Sequence, residues 1–174
     1  MLDSDRVRSL RRLRDSSFSV YALLRLGLTT EANEYVTWLE GILDNKKKDG
    51  SLQIMYTLHG ETEIPELELN HLDGHKGQKP VRIGNGAADH LQLDIYGELM
   101  DGIYLAQKMG KPLSYDMWVK VRALVDYVCD NWKVPDLSIW EVRGAQQHFL
   151  YSKIMLWVAG KHPNRSVQNL PSDC

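Results

Sequence analysis

Apolar residues recur at intervals of three and four residues in five segments of this 174-residue chain, which limits what it can fold into. Glycine, serine or threonine residues stand near the ends of these segments, as is common where helices begin and end. Such a pattern is typical of amphipathic α-helices whose apolar stripes pack together. The sequence therefore predicts an all-α fold with about five long helices.

The predicted helices form two hairpins and one further helix. Short turns at Gly27 and Gly110 join the two helices of each hairpin, and Thr29 or Thr30 is expected to cap the second helix. We expect the aromatic and methionine residues of the helical stripes to lie in the core. The predicted helical ranges are 16–26, 29–44, 87–109, 114–132 and 148–159.

Two long connections alternate with these tight turns, one over residues 49–86 and one over 134–147. The first holds six of the thirteen glycines and three of the six histidines, and residues 52–56 alternate enough for a short strand. Long loops in a helical domain are usually functional. We expect the long loops to gather at one end of the helices and to build a site there.

Charge and composition exclude several classes of protein. The net charge of −2 provides no basic excess, so we expect no nucleic-acid partner. No uncharged apolar run reaches the ~20 residues of a membrane span, and no apolar stretch that would indicate a signal peptide follows the N-terminal arginines. Cys129 and Cys174 do not form a disulfide framework. These features predict a cytoplasmic protein that does not contact membranes.

Two weak motifs do not predict a metal or a cofactor. His71 and His75 have the spacing of zinc ligands on a helix, but Asp73-Gly74 between them breaks a helix. The segment Gly84-Asn85-Gly86 lacks the remaining residues of a phosphate-binding loop and is better explained as a turn before a helix. We therefore expect no metal site and no cofactor.

Two short clusters are better candidates for a site. Arg14 and Asp15 stand where the first helix begins, and Asp15 is expected to cap that helix. An Arg-Asp pair in that place can also bind sugar hydroxyls, because it offers fixed donors beside charged acceptors. The residues alone leave both interpretations open.

The second cluster is Trp140-Glu141-Val142-Arg143 in the second long loop. Burial against Trp140 would raise the pKa of Glu141, whereas Arg143 would lower it. A glutamate kept protonated by an apolar neighbour can serve as a general acid. A surface ion pair between Glu141 and Arg143 is the alternative.

Four collinear segments resemble the glucoamylase-like glycoside hydrolases, which form the fifteenth glycoside hydrolase family. The first reads RDSSFSVYALLRLG and resembles that family's opening RDASFTLYALLRLG. The others resemble its first long loop, its next helix start and its acid-bearing segment. In this chain the four segments are 14–27, 52–61, 80–98 and 139–153.

The resemblance implies part of an (α/α)6 toroid of the six-hairpin glycosidase type, which hydrolyses α-glucosidic bonds with inversion. Substrates of the family include starch-type oligosaccharides, dextrins and trehalose. Glu141 matches the general acid, and Arg14 and Asp15 match positions that hold the terminal glucose. Trp140 and Arg143 are expected to bind substrate in the same place.

The chain departs from the family pattern at both ends. Residues 1–12 form a divergent lead-in, residues 13–159 match the catalytic domain, and residues 160–174 form a divergent polar tail. The family's general base belongs to a later segment, so we expect this chain to lack it and to have little or no activity alone. Self-association through an exposed half-core is also expected. The alternative function is a non-catalytic helical remnant that binds carbohydrate or protein.

Overall fold

The computed structural model describes residues 10–110, 112–140 and 144–166 of the protein, with side chains as far as Lys161. Helices dominate this part of the chain, and the predicted all-α fold is confirmed. The helices are α1 (Leu13–Arg25), α2 (Thr29–Ile42), α3 (Asp94–Met109), α4 (Tyr115–Asn131) and α5 (Leu150–Ser166). A single turn of 3-10 helix, Leu43–Asn45, extends α2.

Helices α1, α3 and α5 lie side by side, with α3 in the middle. Helix α3 makes its most extensive contacts with α1 and α5, whereas α2 contacts α1 and α3, and α4 contacts α3 and α5. The first turns of α1 and α3 are joined by Arg14 and Asp94, so these two helices begin at the same end. Helices α1, α3 and α5 thus form one layer, and α2 and α4 pack against it. This arrangement is expected in a segment of an (α/α)6 toroid.

The described residues also form four short strands. One precedes α1, and the other three lie in the first long loop, between α2 and α3. The strand β1 (Leu10–Arg12) pairs antiparallel with β2 (Met55–Thr57), which confirms a strand in this loop but places it mainly after residue 54. The strands β3 (Leu67–Glu68) and β4 (Arg82–Ile83) form a second antiparallel pair. The first pair fixes the loop beside the start of α1.

The core lies between the inner faces of the helices and includes the N-terminal half of the first long loop. Predicted core residues of α3 and α4 are buried as expected, including Ile95, Leu99, Val121 and Val125. The prediction was wrong for several large side chains, which point away from the described neighbours of their helices. These exposed residues are Phe18, Tyr21, Leu26, Trp132 and Ile154.

Three predicted features of the helix starts were also wrong. Helix α3 begins at Asp94 rather than near Ala87, because residues 84–93 form turns and irregular backbone. Helix α1 begins after Arg12, so Asp15 lies in its first turn and does not cap it. Helix α2 begins after Leu28, with no side-chain cap from a threonine. The predicted cap on α4 is present, because the Ser114 hydroxyl accepts a hydrogen bond from the Met117 amide.

Helices α3 and α5 approach each other closely at Gly97. A β-carbon at this position would lie 2.2 Å from the backbone oxygen of Met155. Only glycine allows two helix backbones to come so near, because any side chain would overlap the carbonyl group. This contact seats the start of α5 beside the start of α3.

Candidate active site

Arg14 joins three segments of the chain at the end where α1 and α3 begin. Its Nη1 donates to the Asp94 carboxylate at 2.8 Å and to the Gln92 side-chain oxygen at 3.2 Å. Its Nη2 donates to the backbone oxygen of Ile139 at 3.3 Å, in the second long loop. In the first long loop, the backbone oxygen of Ile54 accepts a hydrogen bond from the Leu13 amide at 3.1 Å, so the predicted gathering of both long loops at this end is observed.

The hydrogen-bonding capacity of Arg14 is only partly used by these contacts. A guanidinium group carries five N–H donors, and both hydrogens of Nη1 are taken by Gln92 and Asp94. One hydrogen of Nη2 is taken by Ile139, and Nε faces Asp15 at 3.6 Å. Among the residues that the structure describes, none takes the second Nη2 hydrogen, so this hydrogen and the Nε edge can be offered to a ligand.

Asp15 and Asp94 flank Arg14 in opposite environments. The Asp15 side chain is 61% exposed, whereas the Asp94 side chain is fully buried. Burial raises the pKa of Asp94, and its hydrogen bond to Arg14 opposes that rise. Burial acts to lower the pKa of Arg14, but Asp94 raises it overall. Asp15 can therefore accept a hydrogen bond from a hydroxyl of a ligand in solvent, whereas Asp94 binds Arg14 from the buried side.

Asp136 connects the second long loop to the starts of α3 and α5. Its Oδ2 accepts a hydrogen bond from the backbone amide of Leu93 at 2.9 Å and from the Ser152 hydroxyl at 2.6 Å. The loop also pairs with itself through a bridge between Asp136 and Gln147. This buried carboxylate thus places the start of α5 beside the start of α3 and closes the base of the loop.

Glu98 and Tyr151 form a second link between α3 and α5. The Tyr151 hydroxyl donates a hydrogen bond to the Glu98 carboxylate. Burial raises the pKa of Glu98, and the nearby Asp94 adds to this effect. Burial and the Glu98 carboxylate raise the pKa of Tyr151 as well, which keeps the phenol protonated. Glu98 lies one helical turn after Asp94, so the titratable groups that begin at Arg14 continue along the same side of α3.

The structure brings together only part of the predicted site. Arg14 and Asp15 lie at the common end, and Trp140 follows Ile139, whose carbonyl Arg14 binds. The Trp140 side chain is 79% exposed. Glu141 and Arg143 lie outside the described residues, so their predicted roles stay predictions.

Gln92, Asp94 and Asp136 are site residues that sequence reasoning missed. Within the described part of the chain, Gln92 Nε2, Asp94 Oδ1 and Asp136 Oδ1 are buried without a hydrogen-bond partner. Gln92 and Asp94 stand in the apolar stretch Leu91–Ile95, and polar residues in such a stretch are a usable signal for a buried network. Asp136 carries no comparable signal, because its surroundings are an ordinary loop sequence.

The remaining observations concern metals, membranes and cavities. No group of three or more possible metal ligands occurs among the residues that the structure describes. Among the same residues, no helix has the length and apolar character that crossing a membrane requires. A cavity of about 870 Å³ lies under the first long loop, where Leu10, Thr57 and Glu61 help to line it. Its lining does not include Arg14, Asp15 or Trp140.

Comparison with known proteins identifies similar sequences. The model of the glycosyl hydrolases family 15 matches residues 11–162. A trehalase of Mycolicibacterium smegmatis is 41% identical over 148 residues, which are 84% of this chain and 22% of that protein. Trehalase 1 of Sulfolobus acidocaldarius is 36% identical over 84% of this chain and 26% of its own length. A trehalase of Thermoplasma acidophilum is 33% identical over 84% of this chain and 25% of its own length.

The chain thus spans about a quarter of the length of these curated relatives. No solved structure matches it.

Proposed function

This chain belongs to glycosyl hydrolase family 15, and from that premise we propose that it forms the general-acid part of a glycosidase active site that cleaves α-glucosidic bonds. The observation that carries the proposal is the hydrogen bond from Arg14 to Ile139, because Ile139 stands two residues before Glu141 in the sequence. This contact ties the loop that leads to the proposed acid to the pair proposed to hold the sugar.

Each site residue has a separate role in the proposed mechanism. Asp15 accepts hydrogen bonds from hydroxyls of the terminal glucose, and the open Nη2 hydrogen of Arg14 donates to one of its oxygens. The exposed Trp140 ring packs against the sugar, as indole rings do against apolar sugar faces, and Arg143 contacts the same sugar. Glu141 gives its proton to the oxygen that leaves.

An inverting glycosidase also needs a general base, about 6.5–9.5 Å from the acid, which activates a water molecule on the other face of the sugar. We expect that base from polypeptide equivalent to the rest of the relatives' length. The 174 residues alone are therefore expected to bind the sugar and to hydrolyse it slowly or not at all.

Trehalose is the substrate that we favour, because the relatives compared above are named trehalases. Trehalose joins two glucose units through both anomeric carbons, so its hydrolysis yields two glucose molecules. Inversion would release one of them as β-glucose and the other as α-glucose. Maltose and isomaltose are the alternative substrates to be compared.

The test uses the longest in-frame product that contains this chain, with the 174-residue chain in parallel. We expect glucose release from trehalose, with β-glucose visible by NMR in the first minutes. We expect Glu141→Gln to lower kcat by about 100- to 10,000-fold, because an amide of the same shape has no proton to give. Wild-type rates in Glu141→Gln would refute the assignment of Glu141, and a preference for maltose would refute that of trehalose.

A second candidate function, non-catalytic binding of carbohydrate or protein, is favoured by the exposed apolar side chains of α5. Trp157 is 61% exposed and Ile154 is 47% exposed on this helix. Sugar binding measured by saturation-transfer NMR, without hydrolysis by the longest product, would support this second function over the first.

A further inference from the structure

We propose that Asp94 is a positioning residue of this site, which acts on the sugar and on the acid-bearing loop only through Arg14. The inference rests on the proposed function, because it concerns the same site. The Asp94 side chain is fully buried, so it cannot reach a substrate that arrives from solvent. Its described contact with the site is the 2.8 Å hydrogen bond to Arg14 Nη1.

Fixing Nη1 orients the whole guanidinium group, because the group is planar and rigid. Asp94 and Gln92 accept from the two hydrogens of Nη1 and determine the plane and the rotation of the group. The directions of Nη2 and Nε follow from these two contacts. The Asp94 carboxylate thus determines where the open donors of Arg14 point.

Two active-site segments depend on that orientation. Nη2 holds the backbone oxygen of Ile139, and Nε faces the exposed carboxylate of Asp15. If the guanidinium group of Arg14 rotated, its hydrogen bond to Ile139, two residues before Glu141, would be displaced. Its Nε would also move relative to the Asp15 carboxylate. Displacements of about 1 Å in such positions are known to lower rates by about 100-fold.

The charge of Asp94 matters as well as its shape. A hydrogen bond between two charged groups is roughly twice as strong as one between neutral groups, and this one is shielded from water. An asparagine side chain fills the same space but offers only a neutral carbonyl oxygen or an amide that repels Nη1. Asp94→Asn therefore weakens the hold on Arg14 with little change in volume.

A double-mutant cycle measures whether Asp94 acts through Arg14. We expect Asp94→Asn to lower kcat/KM on trehalose by about 10- to 100-fold in the otherwise unchanged longest product. In the background of Arg14→Ala the same substitution is expected to change kcat/KM by less than about threefold, because the group that it positions is gone. Equal effects in both backgrounds would overturn the proposal. Arg14→Met, which also removes every donor, serves in the same way if Arg14→Ala does not fold.

Tyr96→Phe provides the matched control. It removes a buried hydrogen bond between the Tyr96 hydroxyl and the Leu52 amide, with no described contact to Arg14. If Asp94→Asn lowered kcat/KM only by destabilising the fold, its effect would add to that of Arg14→Ala, as we expect the effect of Tyr96→Phe to do. We expect additivity for Tyr96→Phe and strong coupling for Asp94→Asn.

A second measurement needs no hydrolysis, so it separates this inference from the proposed function. The Nε–Hε resonance of Arg14 in the 174-residue chain, assigned by its loss in Arg14→Lys, reports the order of the side chain. We expect its order parameter to fall from about 0.85 to below about 0.6 in Asp94→Asn and to stay high in Tyr96→Phe. An Arg14 that stays ordered in Asp94→Asn would overturn the inference, whatever the enzyme assay shows.

Discussion

The close contact between α3 and α5 requires a glycine at position 97. In Gly97→Ala the new methyl group would lie 2.2 Å from the Met155 backbone oxygen, so the two helices must separate. We expect the free energy of unfolding to fall by about 1–3 kcal/mol despite the better helix propensity of alanine. Urea unfolding followed by circular dichroism measures this change.

Gly41→Ala is the control for this substitution, since Gly41 lies in α2 with nothing within 4 Å of an added β-carbon. There we expect a gain of about 0.5–1 kcal/mol from helix propensity alone. A loss at Gly41 as large as that at Gly97 would show that steric overlap is not the cause.

At the residue scale, sequence patterns single out Arg14 and Asp15 as candidates but not the buried carboxylates around them. Arg14 and Asp15 carry a recognisable motif, and both lie at the end where the long loops meet. Asp94 and Asp136 act through partners 80 and 43 positions away, which no local pattern can indicate. The capping role expected of Asp15 failed because β1 leads directly into α1, which starts at Leu13 and so places Asp15 within its first turn.

At the element scale, the burial of Glu98 between α3 and α5 makes their packing dependent on pH, while the hydrogen bond from Tyr151 opposes the rise in the Glu98 pKa. Burial raises the pKa of Glu98 above its ordinary value of 4.5, so the folded protein holds this proton more tightly than the unfolded chain. The contribution of Glu98 to stability is therefore largest below the ordinary value and is lost as the pH rises through the raised value.

Glu98→Gln tests this linkage, because glutamine can still accept from Tyr151 but does not titrate. We expect the stability of the variant relative to the wild type to increase between pH 4 and pH 7. Urea unfolding of both proteins at three pH values in this range measures the difference. A constant difference, or one that falls with pH, would contradict the raised pKa.

The start of α3 shows why helix boundaries were harder to predict than helices. Residues 87–93 include Ala87, Ala88 and Leu93, which are buried although they are not helical. The backbone oxygen of Leu91 accepts from the Leu137 amide, and the Leu93 amide donates to Asp136. These contacts with the second long loop occupy backbone groups that a continued helix would need. Tertiary contacts thus decide where the helix begins.

At the scale of the whole molecule, the exposed apolar side of α5 is expected to cause self-association. Trp157, Ile154 and Leu150 follow one another at helical spacing, and all three are largely exposed. We expect the sedimentation coefficient of the 174-residue chain to rise with concentration. Trp157→Gln should shift this rise to about 10-fold higher concentration, because one large aromatic side chain often contributes more than 1 kcal/mol to an interface.

The control is Tyr115→Gln, which removes an aromatic ring with 79% exposure from α4 instead of α5. It should leave the concentration dependence as in the wild type. Equal effects of the two substitutions, or a chain that stays monomeric at all concentrations, would contradict association through α5.

The shared origin of α1 and α3, with α5 seated beside them through Ser152 and Asp136, has an electrostatic consequence. Each helix N-terminus carries roughly half a positive charge, and side-by-side helices that point the same way repel one another. Asp15, Asp94 and Asp136 lie at this end, and their negative charges offset the repulsion. The aligned dipoles therefore provide a positive field in which several acidic side chains can be held together. Lysines in their place would drive the helix ends apart.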